Sequence, residues 1–437
     1  MPPPILSFFI GSSMLLFSCT PSTPPQPAAG SAPTTTAITF RQPAEYEPMT
    51  AVWLLWSRYD HQQGMPNAQV SLDIINALTP AVKVRLVVPN DSVRQAVQKL
   101  LPADWLEYGK VTLYTLPYNE FWARDMGPTF VVGSDGHLKV VDFGFNGWGT
   151  VPETDSLNIE NEQLDEKVAE ALQLPKLSTA VISEGGDREI NAKGTLIVSE
   201  VVEQGRNPTM SLSAIEAEFK RLLGAKKVIW LKKGLYEDDH SHLGPINGPG
   251  HQKFYTVLTT NGHVDEYVRW ANDSTVLLAA VDATALKHDP IARENAKRLA
   301  ENYQILRAAS DQDGRPLHII RVPLPPLITG SLRPKDGVYE LLKAMDYRDG
   351  SVFPAGKPVK AVAAASYLNF LIANGVVLMP KYGKIGGNPA FLRCDAAAQA
   401  ALQQAFPNRK IVPIDALAVN WGGGGIHCIT MNEPALR

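Results

Sequence analysis

The chain has 437 residues, 45% of them hydrophobic and 19% charged, an ordinary globular balance that suits one large domain or two to three smaller ones. A net charge of −3 with no Lys/Arg block excludes an electrostatic nucleic-acid binder. The three cysteines, Cys19, Cys394 and Cys428, are too few for a disulfide framework or a cysteine-ligated structural zinc, so each is read alone.

In chain order, the first feature is a short apolar run from Ile5 to Phe17, too short to span a bilayer. It ends in Leu16-Phe17-Ser18-Cys19, which resembles the cleavage box of a bacterial lipoprotein signal, where the cysteine is lipidated. Residues 20–37 follow as a tract rich in Pro, Ser, Thr and Ala that cannot bury enough apolar surface to fold and reads as an extended tether. Signal segment 1–19, lipidation at Cys19 and tether 20–37 predict an exported, membrane-anchored protein of the periplasm or cell surface. Against this, no Lys or Arg precedes the apolar run; the alternative is a cytoplasmic protein with a disordered tail.

Residues 38–437 alternate strand-like and helix-like segments without a further linker and read as one α/β domain. Strands are predicted at Ala51–Trp56, Val82–Val88, Val111–Thr115, Leu138–Phe143, Thr195–Val202, Lys227–Leu231, Phe254–Leu258, Thr275–Val281, Leu317–Val322 and Gly375–Met379, short runs rich in β-branched and aromatic residues. Helices are predicted at Asp91–Leu100, Ile291–Arg307 and Ala396–Ala405, and from a capping box at Ser213–Glu216 to Leu223. Polar residues beside glycines recur after strands, at Asp125, Glu184, His263, Asn369 and Cys428, a spacing compatible with loop ends of successive similar units.

Four segments carry chemistry. Gly422-Gly423-Gly424-Gly425-Ile426-His427-Cys428 brings a thiol behind glycines that let substrate and backbone N–H groups crowd the sulfur; the bland alternative is a buried, inert cysteine. Asn261-Gly262-His263-Val264-Asp265-Glu266 sets an imidazole and a carboxylate two apart, on one side of a strand-like segment, or else a pair that satisfies itself. Glu120-Phe121-Trp122-Ala123-Arg124-Asp125-Met126-Gly127-Pro128 offers an aromatic wall and a rigidly held carboxylate, or an ion-paired surface turn. Ser183-Glu184-Gly185-Gly186-Asp187 adds another carboxylate. One thiol, one imidazole, several carboxylates and an aromatic wall together suit nucleophilic attack on a planar cationic carbon.

W-A-R-D-M-G-P-T-F at Trp122–Phe130, F-N-G-W-G at Phe145–Gly149, E-G-G-D at Glu184–Asp187, R-N-P at Arg206–Pro208, V-I-W-L-K-K-G-L-Y at Val228–Tyr236, N-G-H-V-D at Asn261–Asp265, A-S-Y-L-N-F-L-I-A-N-G at Ala365–Gly375 and G-G-G-G-I-H-C-I-T at Gly422–Thr430 resemble, in matching order, the agmatine deiminase family, which includes the Porphyromonas-type peptidylarginine deiminases. The resemblance spans about residues 40–437. It implies a pentein fold, a five-bladed pseudo-symmetric α/β propeller of ββαβ-like units around a central active site. It also implies Cys428 as nucleophile, His263 as general acid then base, Asp125 and Asp265 as clamps on the guanidinium nitrogens, and Glu184 supporting the histidine. Trp122, Trp148 and Asn369 would line the substrate, and neither metal nor organic cofactor is required. The implied reaction is hydrolysis of a small cationic guanidino substrate, agmatine first and peptidyl or free arginine as alternative.

Against the family pattern, Glu237-Asp238-Asp239 is separated from Asn261 by an insertion, His240 to Thr260, close to where the family would meet the amine end of agmatine. Phe145–Gly149 carries no arginine to hold a carboxylate, which favours agmatine. Two rivals remain: a metallohydrolase using Asp238, Asp239, His240, His242 and His251, and a non-catalytic surface lipoprotein. Cys394 receives no role. If Cys19 carries a lipid, Cys19→Ala is expected to move the protein from the detergent phase to the aqueous phase on phase partitioning; a wild type already in the aqueous phase would overturn export.

Overall fold

The computed structural model describes residues 38–150 and 154–436; the expected signal, Cys19 and tether fall on residues outside these. Apolar runs such as Thr195–Ser199 and Thr275–Ala280 are buried almost throughout, as strands covered on both faces require.

Five sheets repeat one pattern: an antiparallel pair, a helix, then a strand parallel to the second of the pair. Thr129–Gly133 and Leu138–Gly144 are followed by helix Leu164–Leu172 and strand Lys176–Ile182. Glu189–Ile190 and Thr195–Ser199 lead through helix Leu212–Leu223 to Lys227–Leu231. Val268–Trp270 and Thr275–Ala280 lead through helix Pro290–Ala308 to His318–Pro323. Leu371–Ala373 and Val376–Lys381 lead through helix Pro389–Ala405 to Lys410–Asp415. The fifth is assembled from both ends of the described chain. Strand Thr430–Pro434 pairs antiparallel with Met49–Leu55, which leads through helix Asn67–Leu78 to parallel strands Lys83–Val88 and Val111–Thr115. Glu433 fixes this join, accepting from the Trp53 indole N–H at 2.8 Å and pairing with Arg85 at 2.5 Å. A sixth sheet joins Ile246–Asn247, Lys253–Thr256, Val359–Val362 and Thr329–Leu332. The expected mixed α/β class holds, and no helix among the described residues is long and apolar enough to cross a membrane.

Several expected boundaries move. The capping residue of helix Leu212–Leu223 is Ser211, whose hydroxyl accepts from Ala214 N–H at 3.2 Å; Ser213 already lies inside. The strand expected over Thr195–Val202 stops at Ser199, and Glu200–Arg206 coils into a helix, so the tertiary role of Arg206 overrides the β-propensity of two valines. The helix expected over Ala396–Ala405 starts at Pro389, capped by Asn388 accepting from Ala390 N–H at 2.9 Å, an Asn-Pro start signal that places Cys394 within the helix rather than before it. His263 and Asp265 lie on a 3-10 turn, Val264–Glu266, not on a strand.

Gly224 ends helix Leu212–Leu223 at φ 67°, where a Cβ would lie 2.2 Å from the carbonyl oxygen of Phe40. Left-handed backbone and backbone contact together demand glycine. Gly224→Ala is expected to cost about 1–3 kcal/mol, measured by urea denaturation; an unchanged midpoint would refute the packing described.

Candidate active site

The polar residues singled out in sequence occupy equivalent places in the fold. Asp125 precedes strand Thr129–Gly133, Glu184 precedes Glu189–Ile190, His263 and Asp265 precede Val268–Trp270, Asn369 precedes Leu371–Ala373, and Cys428 precedes Thr430–Pro434. Each sits where the chain enters the first strand of one repeated sheet. All six are buried and are linked by the contacts that follow.

Cys428 is 4% exposed. Its sulfur receives the Asn369 side-chain N–H at 3.1 Å and lies 3.6 Å from Asp265 Oδ2. Asn369 Oδ1 accepts from the backbone N–H of His427 at 2.9 Å, so one amide orients both the loop and the thiol. His263 Nε2 lies 3.3 Å from Glu184 Oε2, and its Nδ1 is 3.7 Å from Asp125 Oδ1. Asp125 Oδ1 also accepts from Gly186 N–H at 3.1 Å, while Oδ2 accepts from the Trp148 indole N–H at 2.9 Å. Trp148 reaches it from a left-handed backbone, φ 57°, a strained conformation held between two glycines.

Glycines make this proximity possible. A Cβ on Gly186 would lie 2.5 Å from His263 Nδ1, 2.9 Å from Asp125 Oδ1 and 3.2 Å from Asp265 Oδ2. On Gly424 it would meet Trp122 at 2.7 Å and the Cys428 sulfur at 2.9 Å. Trp122, Asp125, Trp148, Leu258, Thr259, Thr260, Gly422, Gly423 and Cys428 line a cavity of about 20 Å³, room for one or two waters. Behind Trp122 the His61 ring stacks at 5.7 Å.

Electrostatics separate the groups by environment. Burial, then the negative Asp265, Glu266 and Asp125, push the Cys428 thiol well above its ordinary value. Burial alone would lower His263, but Asp125, Glu184 and Asp187 overcome it and raise the imidazole to about 10. Burial works to raise Glu184, yet Arg206 and His263 bring it down to about 2; Arg206 Nε donates to it at 2.7 Å. Burial raises Asp125 although His263 opposes it. Asp265 is instead lowered, His427 outweighing burial. The resting site therefore holds a neutral thiol beside an imidazolium.

Residues without an assigned role in the sequence reading complete the arrangement. His427 Nδ1 lies 2.7 Å from Asp265 Oδ2 and Nε2 lies 2.8 Å from Glu45 Oε1. Arg206, on helix Glu200–Arg206, holds Glu184 and donates to Thr260 carbonyl at 2.7 Å. Adjacency to Cys428 and the R-N-P segment were the available signals; Glu45 carried none.

The acidic run before the insertion has other duties. Asp238 accepts from Thr260 N–H at 2.8 Å, its hydroxyl at 2.6 Å and Gly262 N–H at 2.8 Å, bracing the turn that presents His263. Asp239 is forked onto Arg298 at 2.7 and 2.8 Å, and Glu237 accepts from Asn295 at 2.7 Å. With Asp238 and Asp239 so engaged, the metal-ligand set expected in the insertion does not assemble. The groups of three ligating side chains among the described residues are Glu45, Glu189 and His427, and Asp265, Glu266 and Cys428. The first is already filled by guanidinium groups, with Arg124 at 2.5 Å and Arg269 at 2.6 Å from Glu45.

The family model described as Porphyromonas-type peptidyl-arginine deiminase matches residues 41–246 and 252–434. Within that span the match is interrupted only at 247–251, in the middle of the insertion. An agmatine deiminase of Pseudomonas aeruginosa is 30% identical over 405 residues, 91% of this chain and 96% of that protein. One from Medicago truncatula is 29% identical over 411 residues, 91% and 97%. The solved agmatine deiminase of Enterococcus faecalis superposes with a TM-score of 0.70 at 26% identity, covering 91% of this chain and 97% of that one. With the site described, these matches make the chain a member of the Porphyromonas-type peptidyl-arginine deiminase family and a hydrolase of guanidino C–N bonds.

Proposed function

We propose that the chain converts agmatine and water to N-carbamoylputrescine and ammonia through a covalent thiouronium intermediate on Cys428. The observation that carries this is a single thiol buried among Asp125, Asp265 and Glu184 beside a protonated His263, in an aromatic-walled cavity lined by neither Lys nor Arg. An arginine substrate brings a carboxylate or a peptide at its far end, which a cationic or hydrogen-bonding rim would meet; a primary amine needs no such rim.

The guanidinium seats between Asp125 and Asp265. Its positive charge offsets the carboxylates that hold the thiol protonated, so Cys428 gives up its proton to solvent and the thiolate forms in the complex. Sulfur adds to the central carbon, and His263 gives its proton to the departing nitrogen as ammonia leaves. The C–N bond is broken and a C–S bond stands in its place. The now neutral imidazole takes a proton from water, whose oxygen adds to the same carbon; the C–S bond then breaks, the adduct's hydroxyl proton passes to the sulfur, and the ureido product leaves with the thiol restored. Asn369 steadies the sulfur through both additions, and Trp148 keeps Asp125 turned toward the substrate.

We also infer that the five like sheets close into a pentein-type propeller. Support comes from the repeated strand pattern and from the site residues entering each first strand at the same place. An experimental map with an open arrangement of sheets would overturn it. Export through residues 1–37 stays a separate proposal, tested at Cys19.

Cys428→Ala is expected to lower ammonia release from agmatine by roughly ten-thousand-fold or more; undiminished turnover would refute the nucleophile. Faster turnover of C-terminal-arginine peptides or free arginine than of agmatine would replace the substrate while leaving the chemistry. A pH profile tests the imidazole. As the acid, His263 is active while protonated, so kcat/KM should fall as pH rises through about 10. Glu184→Gln removes a negative partner and should move that fall to lower pH; a fall that stays in place would remove Glu184 from this role.

A further inference from the structure

The proposed chemistry needs Asp265 to be ionised before substrate arrives, in a pocket where Asp125, Glu184, Asp187 and Glu266 are buried nearby. Crowded carboxylates normally take up protons. Each nitrogen of the His427 ring faces one carboxylate oxygen, Asp265 Oδ2 at 2.7 Å and Glu45 Oε1 at 2.8 Å. A neutral imidazole has one N–H and can donate to only one of them. Both carboxylates are held below their ordinary range: for Asp265, His427 outweighs burial, and for Glu45, Arg124 and His427 outweigh burial. The ring thus bridges the two carboxylates, one nitrogen to each. Asp265 Oδ2 is occupied by this contact, whereas Oδ1 is buried and has no partner. Glu45 is in turn fixed by Arg124 at 2.5 Å and Arg269 at 2.6 Å, and Arg269 also pairs with Glu189.

We infer that His427 is a positioning residue: gripped between Asp265 and Glu45, it keeps Asp265 charged and leaves Oδ1 free for a cationic ligand. The inference deepens the proposed reaction and rests on that reading of the site. It assigns charge selection to a residue that touches neither the substrate nor the reacting sulfur.

Alkylation of Cys428 tests this without turnover. The thiolate displaces chloride from either 2-chloroacetamidine, which carries the amidinium charge, or 2-chloroacetamide, which is neutral and of similar size. Rates are measured near neutral pH, with mass spectrometry assigning label to Cys428 rather than Cys394. The wild type should favour the cationic reagent by at least about ten-fold, one pKa unit's worth of interaction. His427→Asn, which can still donate to Asp265 but cannot bridge it to Glu45, should lose roughly ten-fold of that preference. A purely structural role would slow both reagents alike. Glu45→Gln weakens the outer grip, should lose part of the preference, and decides the matter if His427→Asn does not fold. Unchanged preference in the folded variant overturns the inference. A wild type that favours the cationic reagent but deiminates no guanidino compound would sink the proposed function alone.

Discussion

Buried negative charge is the constraint on which the rest of this structure depends. Asp125, Glu184, Asp187, Asp265 and Glu266 are all withdrawn from water around one thiol, and each ion removed from water costs several kcal/mol unless it is paired. The fold answers with partners of its own. Arg206 and His263 meet Glu184, while His427 meets Asp265. Backbone N–H groups help where no cation reaches, as Ser199 and Val264 do for Asp187 at 3.0 and 3.2 Å. The compensation stops short at Asp125, which lines the cavity, and at Asp265, whose Oδ1 is buried without a partner. That shortfall is where the proposed guanidinium would sit, its charge offsetting the carboxylates beside the sulfur.

The repeated sheets solve a geometrical problem at the same time. Groups of several chemical types must approach within hydrogen-bond distance, and no single helix or strand presents them so closely. Here each enters from a different sheet, at the point where the chain turns into a first strand. Such turns converge only if side chains are absent between them, hence Gly186 among Asp125, His263 and Asp265, and Gly424 between Trp122 and Cys428. Glycine costs conformational entropy on folding, and this site spends it where any Cβ would push the reacting groups apart.

Much of this was legible in the sequence, for physical reasons that vary by residue. Val111–Thr115 and Lys227–Leu231 fall as expected, because short β-branched and aromatic runs have few alternatives. Lys176–Ile182 escaped notice because it is only partly buried and polar along much of its length, so no apolar run marks it. Helix Asn67–Leu78 follows Pro66, which offers no side-chain cap. The segments that hold Cys428, His263, Asp125, Asp265 and Glu184 could be picked out because reactive groups near glycines are unusual, although the roles expected of them came only from the family resemblance. Glu45 could not, and His427 only through its adjacency to Cys428, since their meaning lies in a contact spanning 382 positions of sequence, a distance no local pattern encodes. The acidic run Glu237–Asp239 misled for the converse reason: charge is visible in sequence, whereas the Thr260, Arg298 and Asn295 partners that absorb it are not.

The antiparallel pairing of Met49–Leu55 with Thr430–Pro434 has a consequence for how the molecule comes into being. During synthesis the earlier strand emerges long before its partner, and must keep an apolar edge unpaired while some 380 positions separating Trp53 from Glu433 are made. Contacts of such separation form late and slowly, and an exposed strand edge invites pairing with other chains meanwhile. Cys428 stands immediately before that final strand, so the thiol joins its carboxylates in the same event that completes the sheet.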